Sequence, residues 1–408
     1  MKFISPFLIV LLVSVPWTPA GADQGADPFE KFRGFDPASS YKIFYDDLNL
    51  LYKNLVVDVG RSSRKVAEAP VAQTGTRMKA PIKSRTSREG NRFYFEFFKE
   101  DENNRELLET LLRNYESIPG EVPLENFSRD EQLAYWINLY NLTVINEVTK
   151  IYPKRSLKRV LTGRKSILSK KLLNVAGVPL SLNDIQHGIL DPNYDNNPLI
   201  MYGLYQGIIG GPSIRKSAYT GANVWKNLAR NAAEFINSNR GTFPGRRDDF
   251  EVSSLYERNE NYFPDFDADL KEHLLAYLEP PEKDDLQAAT RIRPNIDDWT
   301  VTDLYGSHPR IGGSFASNSA ALLDATTTRT TSDGSASIAG PSLANSSRII
   351  AKSPTARYVS PELLLQLQEM KLKQDLVNQE KATVTVEELG EAPPEPEPEP
   401  EPESGGND

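Results

Sequence analysis

The 408-residue chain carries three histidines, His187, His273 and His308, and no cysteine. Without a thiol it has no cysteine nucleophile, no thiolate metal ligand and no disulfide. No two histidines stand at the spacing at which one helix presents a pair of metal ligands, so a histidine-based metal site is not expected, and no cofactor is expected either. His187 is the one best placed for chemistry. Asn183 stands four residues before it and Asp184 three, so on a helix either could orient the ring as a general base. A base needs a nucleophile to activate. The nearest hydroxyls downstream, Ser213 and Ser217, lie in no G-x-S-x-G turn. The glycine cluster Gly207, Gly210 and Gly211 lacks the Lys and Ser/Thr of a phosphate loop, though it lets the backbone approach another group closely.

The elements that must position these residues fall within one stretch, Asp130 to Arg215. It opens on a helix signal: Ser128 can cap the first turn, and Glu131 three residues on can complete a capping box. Leu133, Trp136, Ile137, Tyr140, Val144 and Val148 then recur at the steps of one buried face, and Pro153 forbids continuation. Tyr135, Asn138 and Asn141 accompany that stripe and could turn polar groups toward a pocket. Ser181 with Asp184 is a second capping pair, opening the short segment that holds His187. Leu199 to Tyr205 is a short apolar run that fits a buried strand, which would put Gln206 at a sheet's end, beside His187 in a cleft.

Around this stretch, Ser40 to Asp58 and Glu102 to Tyr115 show helical spacing, and Arg92 to Phe98 reads as an aromatic strand. Val224 to Ile236 and Leu270 to Leu278 are further helices, with Phe250 to Tyr256 a strand or turn between them. Near Ile296 to Tyr305 the globular signal fades. The expected fold is a mixed α+β domain, rich in helix around a small sheet, covering residues 23–305.

Three segments, AYWINLYNLTVINEV, VPLSLNDIQHGIL and YGLYQGIIGGPSIR with the helix after it, resemble the family called domain of unknown function 547 over about residues 125–237. The resemblance implies a papain-like arrangement in which a family cysteine at the end of the short strand works with the family histidine. A second family cysteine stands in the loop before the proline. His187 matches that histidine, but Gln206 stands at the first cysteine position and Gly211 at the second. A glutamine cannot form a thiolate, so thiol chemistry is lost here. What remains is a candidate binding site of Trp136, Asn138, Asn141, Asn183, His187, Gln206 and Arg215, with Asp184 and His187 the candidate catalytic pair. The leading expectation is a non-catalytic binding or scaffold module; the alternative is a hydrolase with His187 as general base.

Composition bounds the setting. A net charge of −9 argues against general nucleic-acid binding. Lys2, the apolar run Phe7 to Val15 and the small-residue site Ala20-Gly21-Ala22 form an export signal, cleaved before Asp23. That run falls short of the roughly 20 residues of a membrane span, and no other segment is apolar enough. The expected location is periplasmic or extracellular, and the expected partner an envelope ligand or protein. Arg61 to Arg88 reads as an exposed basic loop. After the domain come a low-complexity linker (306–359), a solitary helix (360–380) and a disordered acidic tail (381–408) whose Pro393 to Glu403 alternates Pro and Glu, a composition that cannot bury a core.

Overall fold

The computed structural model describes residues 27–65, 85–86, 89–100, 102–246, 248–303 and 350–351. The export signal, most of the basic loop, the helix at 360–380, the Pro-Glu tail and nearly all of the linker lie outside them. Strand β1 (Lys42–Ile43) leads into helix α1 (Asp46–Leu55), which buries Leu48, Leu51, Tyr52 and Leu55. Strand β2 (Val56–Val57) pairs antiparallel with β3 (Arg92–Phe93). The aromatic run does not stay extended to Phe98; it turns into helix α2 (Glu96–Glu100). Phe93, Phe95, Phe97 and Phe98 are all buried, so the alternation of inner and outer faces that favours a strand is missing. Helix α3 (Glu102–Glu121) follows, with Leu107, Leu108, Leu111 and Tyr115 inward.

Ser128 caps helix α4 (Arg129–Ile151), accepting from the Glu131 amide at 3.3 Å. The other half of the expected capping box does not form. The Glu131 carboxylate accepts instead from the backbone of Ile43 at 2.9 Å and of Gly221 at 3.0 Å, tying two distant segments to the helix start. Nor does α4 bury one face alone: every residue from Glu131 to Thr149 is buried, and α4 is the axis of the larger of two core clusters. Its polar residues are therefore enclosed, and each must find partners inside the protein.

Helix α5 (Lys158–Thr162) and the hairpin of β4 (Leu173–Val175) and β5 (Val178–Leu180) lead to Ser181. There the capping box forms in full: Ser181 Oγ accepts from the Asp184 amide at 3.1 Å, and the Asp184 carboxylate accepts from the Ser181 amide at 2.6 Å. The element it opens is a π-helix, Asp184–Leu190, running into the short α6 (Asp191–Asn193). The expected strand Leu199 to Tyr205 is a 3-10 helix, Pro198–Gly203. Pro198 presets its first turn and the Asn197 side chain caps it, accepting from Leu199 at 3.0 Å. The apolar run is thus buried by a tight helix against helix α7 (Val224–Ile236), with no ladder partner.

Beyond α7 lie strands β6 (Thr242–Pro244) and β7 (Asp249–Ser253), then helices α8 (Ser254–Arg258), α9 (Phe266–Tyr277) and α10 (Glu282–Ala288), and strand β8 (Arg291–Ile296). β6 and β7 pair antiparallel and β7 with β8 parallel, enclosing the second core cluster around Tyr202, Phe235, Phe250, Tyr256 and Leu274. A further strand, β9 (Ile350–Ala351), pairs antiparallel with β1. The fold is α+β, with sheets of two or three strands. Residues 298–303, where the sequence reads as leaving the domain, return to it instead. They run along the glycine loop: Thr302 donates to Gly207 O at 2.9 Å, and Ile209 and Gly210 donate to Thr300 O and Asp298 O at 2.8 Å. Gly210 is required because a Cβ there would stand 2.7 Å from the Asp298 nitrogen. The cluster serves backbone packing.

Candidate functional site

His187 sits on the π-helix with its side chain 46% exposed, and its Nδ1 lies 2.9 Å from Asp191 Oδ2. The other ring nitrogen bonds to no described residue. Asp191 is 3% exposed and fully engaged: Asn261 Nδ2 donates to Oδ2 at 3.0 Å and the Tyr262 hydroxyl donates to Oδ1. Burial, reinforced by the Asp191 charge, pushes the Tyr262 phenol far up, so it stays protonated as that donor. Gln186 Nε2 supports the group from behind, at 2.7 Å from Asn259 Oδ1 and 3.4 Å from the Tyr262 oxygen. A buried carboxylate thus fixes one nitrogen of a half-exposed imidazole and leaves the other without a described partner.

The orienting carboxylate is not the expected Asp184. That side chain is consumed by its own helix start, binding Ser181 and Lys171 Nζ at 2.5 Å. Burial alone would raise its pKa, but the Lys171 and Ser181 hydrogen bonds outweigh it and hold the carboxyl below its usual range. Asp191 was legible as the i,i+4 partner of His187. Tyr262 and Asn261 were not, since they come from a turn in the second core cluster, 71 and 70 residues from Asp191 along the chain.

The other expected site residues are mostly internal clamps. Trp136 is wholly buried, edge-on to Phe32 at 5.1 Å, so its ring is not offered to a ligand. Asn138 grips the backbone of Tyr219 twice, donating to its carbonyl at 2.8 Å and accepting from its amide at 3.0 Å. Asn141 does the same for the end of the 3-10 helix, donating to Gly203 O at 2.9 Å and accepting from the Tyr205 amide at 2.8 Å. Arg215 binds Asn231 and Asn227 on α7, each at 3.0 Å. Asn183 precedes the π-helix with its amide on Leu168 O at 2.8 Å, and its side chain caps nothing.

Gln206 follows a 3-10 helix and lies against the glycine loop, its Oε1 buried without a partner. A Cβ built on Gly211 would stand 3.4 Å from Gln206 Cβ and 3.5 Å from that oxygen. Among the described residues no hydrogen bond, ion pair or ring contact joins Gln206 to His187. The two positions at which the family resemblance leads one to expect cysteine therefore lie against each other, slightly closer than the Cβ atoms of bridged cysteines.

Residues 124–236 match the family described as protein of unknown function, DUF547. The chain carries a DUF547 domain. No curated protein and no solved structure matches the chain. The DUF547 span runs from just before α4 through α7, so it holds His187, Asp191 and Gln206, whereas Asn261 and Tyr262 reach the dyad from outside it. Two cavities lie elsewhere. One of about 350 Å³ is lined by Arg64, Glu234, Asn237 and Glu282, the other of about 410 Å³ by Arg33, Phe35, Arg129 and Tyr194. Their charges are already paired, Arg64 with Glu282 at 3.1 Å, Glu234 with Arg240, and Arg129 with Asp195 at 2.8 Å. Among the described residues no group of three His, Asp or Glu could hold a metal ion, and no helix is long and apolar enough to cross a membrane.

Proposed function

We propose that this chain is an exported, non-catalytic binding or scaffold module of the cell envelope, with His187 at the centre of its ligand contacts. The observation that carries the reading is the half-exposed ring of His187, anchored at Nδ1 by the buried Asp191 with its other nitrogen bonded to no described residue. Such a ring offers one fixed hydrogen bond to a ligand and loses little side-chain freedom on binding. Gln206 supports the absence of thiol chemistry, and neither described cavity includes His187 to enclose a reacting group. Thermal shift of the secreted chain with soluble peptidoglycan fragments and anionic envelope polysaccharides tests this. A rise in melting temperature that His187→Ala abolishes is the expected result. No rise with any of them in the wild-type chain counts against it.

The alternative, a hydrolase using His187 as general base, draws on the same anchored ring, since a carboxylate behind an imidazole is how such bases are held. Turnover of p-nitrophenyl acetate that falls to background in both His187→Ala and Asp191→Asn would favour it over binding. The export reading rests on the N-terminal sequence alone, and N-terminal sequencing of secreted protein should find Asp23 first. Met1 retained on cytoplasmic protein would end it.

A further inference from the structure

Helix α1 turns two polar atoms into the interior that find no partner there: Asp47 Oδ2 and the hydroxyl of Tyr52. Both residues are at most 2% exposed. The second Asp47 oxygen accepts from the Tyr115 hydroxyl at 2.5 Å and from the Leu48 amide at 2.7 Å. The titratable groups around it offer no counter-charge. From α3 comes Tyr115, itself buried and held protonated. Tyr45 stacks on that ring at 5.7 Å, and Asp46 adjoins on α1 with the same sign. Glu131, on α4, faces the Ile43 and Gly221 amides. Among the described residues no cation pairs with Asp47.

A carboxylate so placed is costly when ionised, because it gives up hydration and gains no opposite charge. We propose that α1 is an acid-latched element: it packs firmly on α3 and the surrounding core while Asp47 carries a proton, and loosens once that proton is lost. Burial, only partly offset by the Tyr115 and Leu48 hydrogen bonds, pushes the carboxyl up to about 6. In an undocked helix the group returns to about 3.9. The docked pKa is the higher one, so the protonated group contributes fully below about pH 4. That contribution is lost as pH rises through about 6. What loosening releases is the Leu48, Leu51 and Leu55 face of α1 and the surface it covers.

Hydrogen exchange on the full chain, expressed as protection factors so that the intrinsic pH dependence of exchange cancels, reads this directly. Between about pH 5 and about pH 7.5 the protection of the α1 amides should fall about tenfold, with that of α4 unchanged. Asp47→Asn keeps an acceptor for Tyr115 and cannot titrate, so its α1 protection should be the same at both pH values. Tyr115→Phe removes a hydrogen bond that favours the ionised form and should move the loss to higher pH. Equal α1 protection at the two pH values in the wild-type chain, or an unchanged pH dependence in Asp47→Asn, overturns the proposal. So does a Tyr115→Phe profile with no displacement.

Discussion

Placing cysteines at both Gln206 and Gly211 should produce a disulfide in a protein that naturally has none. The basis is the 3.4 Å between Gln206 Cβ and a Cβ built on Gly211, just below the roughly 3.5–4.5 Å of bridged cysteines. The bridge closes a loop of six residues, Gln206 to Gly211. The chain-entropy relation gives about 2 kcal/mol for a loop of about six residues at room temperature. Against this, a Cβ on Gly211 stands 3.2 Å from Ile208 Cγ1, a tight contact that takes back part of the gain. A net of about 1–2 kcal/mol corresponds to a rise in melting temperature of roughly 2–4 °C for a domain of this size. The assay is a thiol count on the oxidised, folded double variant, with melting curves with and without reductant. Two titratable thiols after oxidation, or identical curves, would refute the geometry on which the neighbour relation rests. The single variant Gln206→Cys provides the complementary measurement. Its alkylation rate should be unaffected by adding His187→Ala, because no contact links the two positions; a drop would restore the cysteine–histidine pairing that the family resemblance implies.

Asn138→Ala and Asn141→Ala each strand one backbone amide and one carbonyl in the interior and should each cost about 2–4 kcal/mol in urea unfolding. A cost below about 1 kcal/mol would mean that solvent reaches those groups. Glu131→Gln leaves one carboxylate-bound amide, Ile43 or Gly221, facing an NH2 group, and should destabilise by about 2–3 kcal/mol. His273 is packed against Tyr202, Phe263 and Tyr277, and burial lowers its pKa to about 4. Its folded pKa lies below the free value of about 6.5, so its contribution is intact above that pH and lost as pH falls toward 4, up to about 3 kcal/mol. His273→Phe should flatten that part of the acid limb, and an unchanged limb would show that other groups carry it.

Where one residue's neighbours along the chain decide its conformation, the sequence was a sufficient guide. Ser128 before an apolar stripe set the start of α4, and Ser181 with Asp184 built the cap of the His187 segment, because a cap needs only amides two or three residues away. The α+β class, the length of α4 and α7, and the loss of any thiol were legible for the same reason. Side-chain partners were another matter. Asp184 and Asp191 stand on either side of His187 along one helical segment. What separates them is that Lys171 and Ser181 occupy the first, while Asn261 and Tyr262 arrive from the second core cluster to bury the second. Asn138 and Asn141 read as polar groups for a pocket, and Glu131 as half of a capping box, until α4 proved enclosed on every side and all three proved to bind backbone groups of distant segments. The glycines at 207, 210 and 211 look like a ligand loop in isolation, and only the tertiary structure shows that residues 298–303 fill the space at Gly210 while side chains of the core fill that at Gly207. Local hydrogen bonds and periodicity are properties of a few consecutive residues. Burial and the choice among competing partners depend on segments far apart in the chain, and only the packed structure brings those together.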